Sequence, residues 1–484
     1  MLFNSLEFLI FFIVVVTLYF LIPHKYRWIL LLTASYLFYM SWKVEYIVLI
    51  LFATIINYWM SIKLYETSNL KKKKIYLYIS LISSLSVLFI FKYFNFFMQS
   101  ITDLNKILNI NIESTTLSLL LPVGISFYTF QTLSYTIDVY RGKIKPERHF
   151  GIFALFVTFF PQLVAGPIER SENLLPQFYE KHDFDYDRVI NGFILMLIGF
   201  TKKVVVADRI AVVVNQVYNN PNDYYGITII IATVLFAVQI YYDFSGYSDI
   251  AIGVSQIMGF SLMDNFKKPY FAKSVSEFWK RWHISLSSWL KDYVYIPLGG
   301  NRVVKWRHYY NLIVTFFLSG LWHGAAWTFV IWGLLHGGYL VVSIITKNIR
   351  DKVMAPIRKL KKLNSLIQMV ITFILVDFAW IFFRANSLGD SVTIIKNMTH
   401  LSLNLEPVYK LFWTVHFTKV DLVIFILCTI IIEGIKIPRN KRYIDFNRYK
   451  IPVYVRWGLY FAALFVIIVL GAYTKANEFI YFQF

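Results

Sequence analysis

Two histidines lie in surroundings that could support proton transfer. His323 stands in FLSGLWHGAAW, where glycines and alanines interrupt an apolar run, and small residues leave room beside an imidazole ring. His283 stands in SEFWKRWHISLSSWL, on the apolar face of a helical pattern. An imidazole can accept and return a proton near neutral pH without a large change in its pKa. From the pattern alone His323 fits catalysis as well as structure, whereas His283 is more typical of a packed core histidine.

A helical repeat surrounds His283. The apolar positions recur every three or four residues and are Phe278 or Trp279, Trp282, His283, Leu286 and Leu290. This repeat predicts one amphipathic helix at the membrane interface, ended by Pro297 and the Gly299–Gly300 pair. His336 follows His323 along the chain, and on a straight helix the two would be about 20 Å apart. We therefore expect His336 to lie outside any site that contains His323.

A polar stripe crosses the apolar segment VQIYYDFSGYSDIAIGVSQ. Gln239, Tyr242, Asp243, Gly246 and Asp249 fall on one face of a helix, because residues three, four and seven apart are neighbours there. Polar groups within lipid are costly unless they face protein or water, which makes them candidate sites. The stripe could line a cavity or form hydrogen bonds between helices, and the sequence leaves both alternatives open.

Further polar groups interrupt other apolar runs. Gln131 and Asp138 share one run, and prolines and glycines break the segment 150–166. Irregular backbone at membrane depth is tolerated where it is buried in protein or lines a cavity. Asp377 and Arg384 fall on nearly one helix face and could form a structural pair.

Several catalytic motifs are missing from the sequence. It contains no glycine-rich phosphate loop, no Cys/His zinc spacing, no HExxH and no GxSxG, so we expect no metal site and no serine nucleophile. The single cysteine, Cys428, lies in the apolar run VIFILCTIII and is interpreted as a small core residue.

The composition places most of the chain in lipid. Of 484 residues, 57% are hydrophobic and 16% are charged, against roughly 45–50% and about 25% in soluble domains. This excludes a soluble enzyme, a disordered chain and a disulfide scaffold. The formal net charge is +20, but the basic residues lie in loops between apolar runs, as the positive-inside rule describes. We therefore expect no nucleic-acid binding.

The apolar runs predict an all-α polytopic membrane protein, with about 11 to 14 transmembrane or re-entrant helices. The predicted spans are 5–23, 28–42, 46–61, 76–97, 116–135, 190–207, 227–243, 309–321, 325–345, 366–383, 420–435 and 454–473. Two runs that glycine or proline interrupts, 150–166 and 247–262, are predicted to be re-entrant. The basic loops are expected in the cytoplasm and both termini outside, with residues 1–484 forming one membrane domain.

Five sequence blocks resemble a known family. They are FYTFQTLSYTIDVYRG, FFPQLVAGPIER, YYDFSGYSDIAIG, FWKRWHISLSSWLKDYVYIPLGG and GLWHGAAW. In this order they resemble the membrane-bound O-acyltransferases, in particular the bacterial branch that includes alginate and peptidoglycan O-acetyltransferases and the teichoic-acid D-alanyl transfer protein. The resemblance extends over nearly the whole chain.

The resemblance implies an enzyme of the bacterial cell membrane that passes an acyl group from a cytoplasmic thioester to an acceptor outside the membrane. It places His323 as the catalytic base and His283 as the residue that orients or polarises, around a central cavity. The expected substrate-binding residues are Trp322, Gln239, Tyr242, Asp243, Asp249, Trp282 and Ser285. A thioester is already activated, so a base and good alignment suffice for transfer.

The resemblance also implies the partners of the reaction. The expected donor is acetyl-CoA, with no permanently bound cofactor, and the acceptor is a polysaccharide reached through a separate extracytoplasmic acetyltransferase or acceptor protein. The alternatives are D-alanyl transfer to teichoic acid from a carrier-protein thioester and, in a different class, a lipid-linked sugar transporter. A non-catalytic scaffold for a polysaccharide synthase is a third.

Overall fold

The computed structural model describes residues 1–110, 115–400, 405–434, 452–472 and 479–480, and within these ranges the chain is helical with no β-strand. The α-helices in chain order are α1 (Leu6–Leu21), α2 (His24–Met40), α3 (Ile47–Glu66), α4 (Leu70–Leu88), α5 (Phe94–Ile107), α6 (Ile125–Tyr140), α7 (Phe150–Thr158), α8 (Ser171–Leu174), α9 (Tyr186–Phe200), α10 (Asp208–Asn219), α11 (Ile227–Met258), α12 (Val275–Trp279), α13 (Ile284–Leu290), α14 (Lys305–His323), α15 (Trp327–Ile345), α16 (Lys347–Val353), α17 (Lys361–Arg384), α18 (Leu388–Met398), α19 (Glu406–Thr414), α20 (Lys419–Gly434) and α21 (Val453–Leu470). The predicted all-α fold is confirmed.

Seven helical stretches in the described ranges are long and apolar enough to cross a membrane, or eight if α19 and α20, bent by 94°, count as one. They are Val44–Glu66, Leu70–Ile107, Tyr186–Asn219, Ile227–Met258, Trp327–Ile345, Lys361–Arg384 and Val453–Leu470. The predicted spans near residues 5–23, 28–42 and 309–321 are present as α1, α2 and α14. The protein is therefore a multi-pass membrane protein, as predicted.

Two predicted segments differ from the structure, and a third agrees with the expected irregular backbone. Residues 247–262 are not a separate re-entrant segment, because α11 continues without a break to Met258. The span predicted at 116–135 begins only at Ile125, after Gly124 with φ 76°. Residues 150–166 form the short helix α7 followed by irregular backbone, which is buried, as expected for non-helical chain at membrane depth.

The chain divides into two compact units. The first comprises Met1–Met196 and Ile250–Met263, and the second comprises Leu197–Asp249 and Asp264–Phe484. In the first unit, polar side chains join α3, α4 and α6: Asn57 is bonded to Ser80 at 2.5 Å, Ser84 at 3.0 Å and Thr136 at 3.0 Å. Such interhelical hydrogen bonds are typical of membrane helix packing. The single membrane domain over 1–484 stays a prediction.

In the second unit, α14 and α15 form a tight helical hairpin. A Cβ atom at Gly320 would overlap the backbone carbonyl of Phe329, and one at Gly333 would overlap the carbonyl of Phe316. Only glycine allows the two backbones to approach so closely. The chain reverses at Gly324, directly after His323 ends α14.

The predicted pairing of Asp377 with Arg384 is wrong. Arg384 donates to Asn215 at 2.7 Å instead, and its guanidinium lies 5.5 Å from the ring of Tyr218. Both partners belong to α10, so Arg384 joins α17 to α10 within the second unit. Sequence spacing on one helix could not show that α10 supplies the better acceptor.

Candidate active site

His323 is the last residue of α14. The helix ends there because Gly324 is extended, with φ −160° and ψ 148°. The imidazole is 2% exposed, and three aromatic rings surround it: Trp322 at 5.0 Å, Trp332 at 4.9 Å and Phe383 at 5.2 Å between centroids. The sequence correctly predicts the chain break at His323, and the ring there is almost completely enclosed.

His283 interrupts the helix that the sequence predicts through it. Instead of one continuous amphipathic helix, α12 ends at Trp279 and α13 begins at Ile284. His283 lies between them with φ 42° and ψ 56°, a left-handed conformation that cannot continue a right-handed helix. The apolar pattern is nevertheless correct, because Trp282 and His283 are both 0% exposed.

The structure brings the two histidines together. The ring centroids of His283 and His323 are 6.3 Å apart, with an angle of 61° between the planes. Trp322 contacts both rings, at 5.6 Å from His283 and 5.0 Å from His323. Phe244 of α11 packs edge-on against His283 at 4.7 Å. Two imidazoles at this separation, with aromatic walls and little water, can act on one small reacting group.

Burial determines the charge of His283. It lowers the pKa of this imidazole to about 3, because the charged form loses its hydration. His283 is therefore neutral at neutral pH. A neutral imidazole with such a low pKa is a weak base at neutral pH, but it can still donate or accept a hydrogen bond.

His336 belongs to the same aromatic cluster, which corrects the estimate of about 20 Å along a straight helix. Because the chain reverses at Gly324, α15 runs back along α14. Trp332 lies 5.0 Å from His336 and 4.9 Å from His323 between ring centroids. The indole of Trp279 donates to Nδ1 of His336 at 3.2 Å, which fixes the proton of that ring on Nε2.

The predicted substrate-binding residues Trp282, Trp322 and Ser285 lie in or beside this cluster. Trp282 stacks on Phe278 at 5.5 Å, and its buried indole N–H has no hydrogen-bond acceptor among the described residues. The hydroxyl of Ser285 donates to Oδ1 of Asn265 at 2.7 Å. Trp322, as described above, touches both histidines.

The remaining predicted residues face a different side of α11. Lys203 Nζ lies 2.5 Å from Asp243 Oδ1, and Lys202 Nζ lies 2.5 Å from Asp249 Oδ2. Both lysines belong to a π-helical turn, Thr201–Ala207, between α9 and α10. Asp243 and Asp249 therefore form bonds between helices, which is one of the two alternatives that the sequence left open for the polar stripe.

Two further members of the stripe lie beside these ion pairs. The hydroxyl of Tyr242 donates to Glu433 at 3.4 Å. Oε1 of Gln239 is buried and accepts no hydrogen bond within the described ranges. Neither residue lies on the face of α11 that carries Phe244. At about 100° per residue, Tyr242 is about 160° and Gln239 about 140° away from Phe244 around the helix axis.

Sequence reasoning missed Phe244 and Asn265. Phe244 lies on the opposite face of α11 from the polar stripe, so attention to polar residues passed over it. Asn265 lies outside any helix, in the segment between α11 and α12. The sequence did contain one signal for Asn265. It is an asparagine in a short segment between YYDFSGYSDIAIG and FWKRWHISLSSWLKDYVYIPLGG, two of the blocks that carry the family resemblance.

The sequence is similar to those of known membrane-bound acyltransferases. The family model of the membrane-bound O-acyltransferases matches residues 148–383, a range that contains His283, His323 and His336. The chain is 40% identical over 392 residues to the probable alginate O-acetylase AlgI of Azotobacter vinelandii, covering 80% of this chain and 76% of that protein.

Two other relatives are named for different transfer reactions. The peptidoglycan O-acetyltransferase of Helicobacter pylori is 37% identical over 398 residues, covering 77% of this chain and 73% of that protein. The teichoic acid D-alanyltransferase of Bacillus subtilis is 29% identical over 282 residues, covering 54% of this chain and 68% of that protein. The chain therefore belongs to the membrane-bound O-acyltransferase family and is an O-acyltransferase.

Proposed function

We propose that this protein passes an acetyl group from cytoplasmic acetyl-CoA across the membrane toward hydroxyl groups of an extracytoplasmic polysaccharide. The relatives with 37–40% identity are named alginate O-acetylase and peptidoglycan O-acetyltransferase, which supports an acetyl group and a polysaccharide acceptor. Membership of an acyltransferase family argues against the alternative of a lipid-linked sugar transporter.

The observation that carries the proposal is the pair of enclosed imidazoles, 6.3 Å apart between ring centroids. The pair is close enough for both imidazoles to act on one reacting centre when the substrates are bound. Walls of Trp322, Trp332, Phe244 and Phe383 exclude water, which protects the thioester from hydrolysis and strengthens each polar interaction.

The proposed step needs no enzyme-bound acyl group. The acceptor oxygen attacks the carbonyl carbon of the thioester while His323 takes the hydroxyl proton. The tetrahedral intermediate collapses, the C–S bond breaks, and the imidazolium of His323 returns its proton to the thiolate. The products are an O-acetyl ester and free CoA thiol. His283, neutral and buried, orients or polarises the reacting groups by hydrogen bonding.

The donor is expected to approach from the basic side of the membrane. The first turn of α4, Lys71–Lys74, and the segment Lys347–Lys362 around α16 carry several lysines and arginines, which attract the phosphates of CoA. The competing donor is a D-alanyl carrier-protein thioester. It is considered because the relative with 29% identity is named a teichoic acid D-alanyltransferase. No permanent cofactor takes part in the proposed reaction.

The acceptor side is proposed to need a second protein. Within the predicted outside loop, residues 385–419, the described part carries the short helices α18 and α19. A segment of about 35 residues is below the size at which a domain usually folds alone. We therefore propose that an extracytoplasmic acetyltransferase or acceptor protein completes transfer to the polymer.

The test measures thiol release from acetyl-CoA by the purified protein in lipid nanodiscs, with a short oligosaccharide as acceptor. Replacing His323 by Gln keeps the side-chain volume near that of imidazole but removes the base, so kcat should fall by about 10²–10⁴-fold. His308→Gln is the matched control, since His308 lies on the same helix about 22 Å away and should keep full activity.

Three results would contradict the proposal. Near-normal thiol release by His323→Gln would show that His323 is not the general base. Turnover of a D-alanyl carrier thioester without turnover of acetyl-CoA would show that acetyl-CoA is not the donor. Complete acetylation of a long polysaccharide by the purified chain alone would remove the need for a second protein.

A further inference from the structure

His283 is held in a backbone conformation that its own sequence does not favour. A left-handed conformation costs a non-glycine residue about 1–2 kcal/mol and persists only where the surroundings determine it. His283 occupies the position that would cap the N-terminus of α13, yet its side chain makes no capping hydrogen bond. The imidazole is thereby directed to other contacts, among them Phe244 and His323.

The missing cap is supplied by Asn265, which is distant in sequence. Its Oδ1 accepts from the backbone N–H of Ser285 at 3.2 Å and from the hydroxyl of Ser285 at 2.7 Å. An asparagine oxygen that accepts from the second residue of a helix is the usual N-cap interaction. Here the cap comes from another segment, and Asn265 itself is 1% exposed.

Backbone hydrogen bonds fix the chain on both sides of His283. The N–H of Ile284 donates to the carbonyl of Asn265 at 3.0 Å, and the N–H of Lys267 donates to the carbonyl of Arg281 at 2.9 Å. Residues 265–267 therefore run beside residues 281–284. The positive φ of His283 allows the chain to follow this segment and then enter α13.

Asn265 also ties this turn to α11. Its Nδ2 donates to the hydroxyl of Ser248 at 3.3 Å. Ser248 is one helical turn beyond Phe244, whose ring packs against His283 at 4.7 Å. One side chain thus joins the turn that carries His283 to the helix that supports the ring.

We propose that Asn265 is a positioning residue that sets the orientation of the His283 imidazole toward His323. The proposal rests on the proposed function, because it assigns Asn265 an effect on catalysis only through His283. It also gives Ser285, predicted to bind substrate, a place in the cap of α13. A displacement of about 1 Å at a catalytic group can cost on the order of 10²-fold in rate.

The test compares acetyl-CoA turnover by Asn265→Ala, Asn265→Asp and Asn57→Ala. Asn265→Ala removes both acceptor bonds to Ser285, so kcat should fall about 10- to 100-fold while KM for acetyl-CoA changes little. Asn265→Asp keeps an acceptor at the same place and should recover most of this loss. Asn57→Ala is the matched control, a buried asparagine of the first unit, and should leave kcat unchanged.

A double-mutant comparison separates positioning from a general loss of structure. In a His283→Ala background, Asn265→Ala should cause no further loss of kcat, because the group that it positions is absent. If Asn265→Ala does not accumulate in the membrane, Ser248→Ala replaces it in the same comparison. Full kcat in the single variants, or losses that multiply with that of His283→Ala, would overturn the proposal. Full activity of His283→Ala would instead contradict the role of His283 in the proposed function.

Discussion

The buried charge cluster around Lys203 predicts a large effect on stability. Its Nζ lies 2.5 Å from Asp243 Oδ1 and 2.9 Å from Asp208 Oδ1, and the three side chains are 1–4% exposed. Removing one partner of a buried ion pair costs about 3–5 kcal/mol, because the remaining charge stays buried without compensation. Lys203→Met leaves the carboxylates of Asp208 and Asp243 buried without a cation. The loss in the free energy of unfolding should therefore lie at the upper end of that range.

Lys202→Met is the matched control, because Lys202 forms one ion pair, with Asp249, and these side chains are 11% and 20% exposed. Thermal unfolding of the purified protein in detergent should show a clearly larger shift for Lys203→Met. Adding Asp208→Asn and Asp243→Asn should recover much of the loss, since neutral replacement of a whole buried ion cluster is often tolerated. Equal shifts for the two lysine variants, or no recovery in the triple variant, would refute the reasoning.

Three other predictions concern the second unit. His336→Ala should lower the free energy of unfolding by about 3 kcal/mol or more, because it leaves a cavity and strands the indole N–H of Trp279; thermal unfolding checks this. Gly320→Ala should cost about 1–3 kcal/mol, since a Cβ there overlaps the carbonyl of Phe329; Gly338→Ala, with open space around its Cβ, should be neutral. Burial lowers the pKa of His283 to about 3, below its unfolded value of about 6.5, so the unfolded state binds more protons between these values. Stability should therefore fall as pH decreases from about 6.5, and His283→Gln should reduce that fall in unfolding measurements at about pH 5 and pH 7.5.

The sequence predicts the fold class and the histidine pair because both depend on local patterns. Apolar runs of sufficient length require helices in lipid, and the blocks around His283 and His323 match a known family. The helical repeat from Phe278 to Leu290 also predicts correctly which side chains are buried. What it misses is the break in that repeat, because an amphipathic pattern carries no information about a single left-handed residue.

The missed features depend on contacts between distant segments. Ile284 and Ser285, which follow His283, donate hydrogen bonds to Asn265, and no local pattern connects Asn265 with His283. The position of His336 depends on the reversal after Gly324, which a straight-helix estimate ignores. A usable signal did exist for the ion pairs: Lys202 and Lys203 lie within a predicted apolar span, and buried lysines require acidic partners.

The two faces of α11 connect the charge cluster to the histidine pair. Asp243 and Asp249 pair with lysines of the π-helical turn 201–207, whereas Phe244 and Ser248 face the turn that carries His283. Because successive residues are about 100° apart around a helix axis, the ion pairs fix the rotation of α11 and with it the direction of Phe244. A rotation by one residue would separate the buried Asp243 and the partly buried Asp249 from their lysines, at a cost of several kcal/mol. It would also turn Phe244 away from the imidazole. The stripe of polar residues can therefore serve catalysis without touching the substrate, since it holds the helix against which His283 packs.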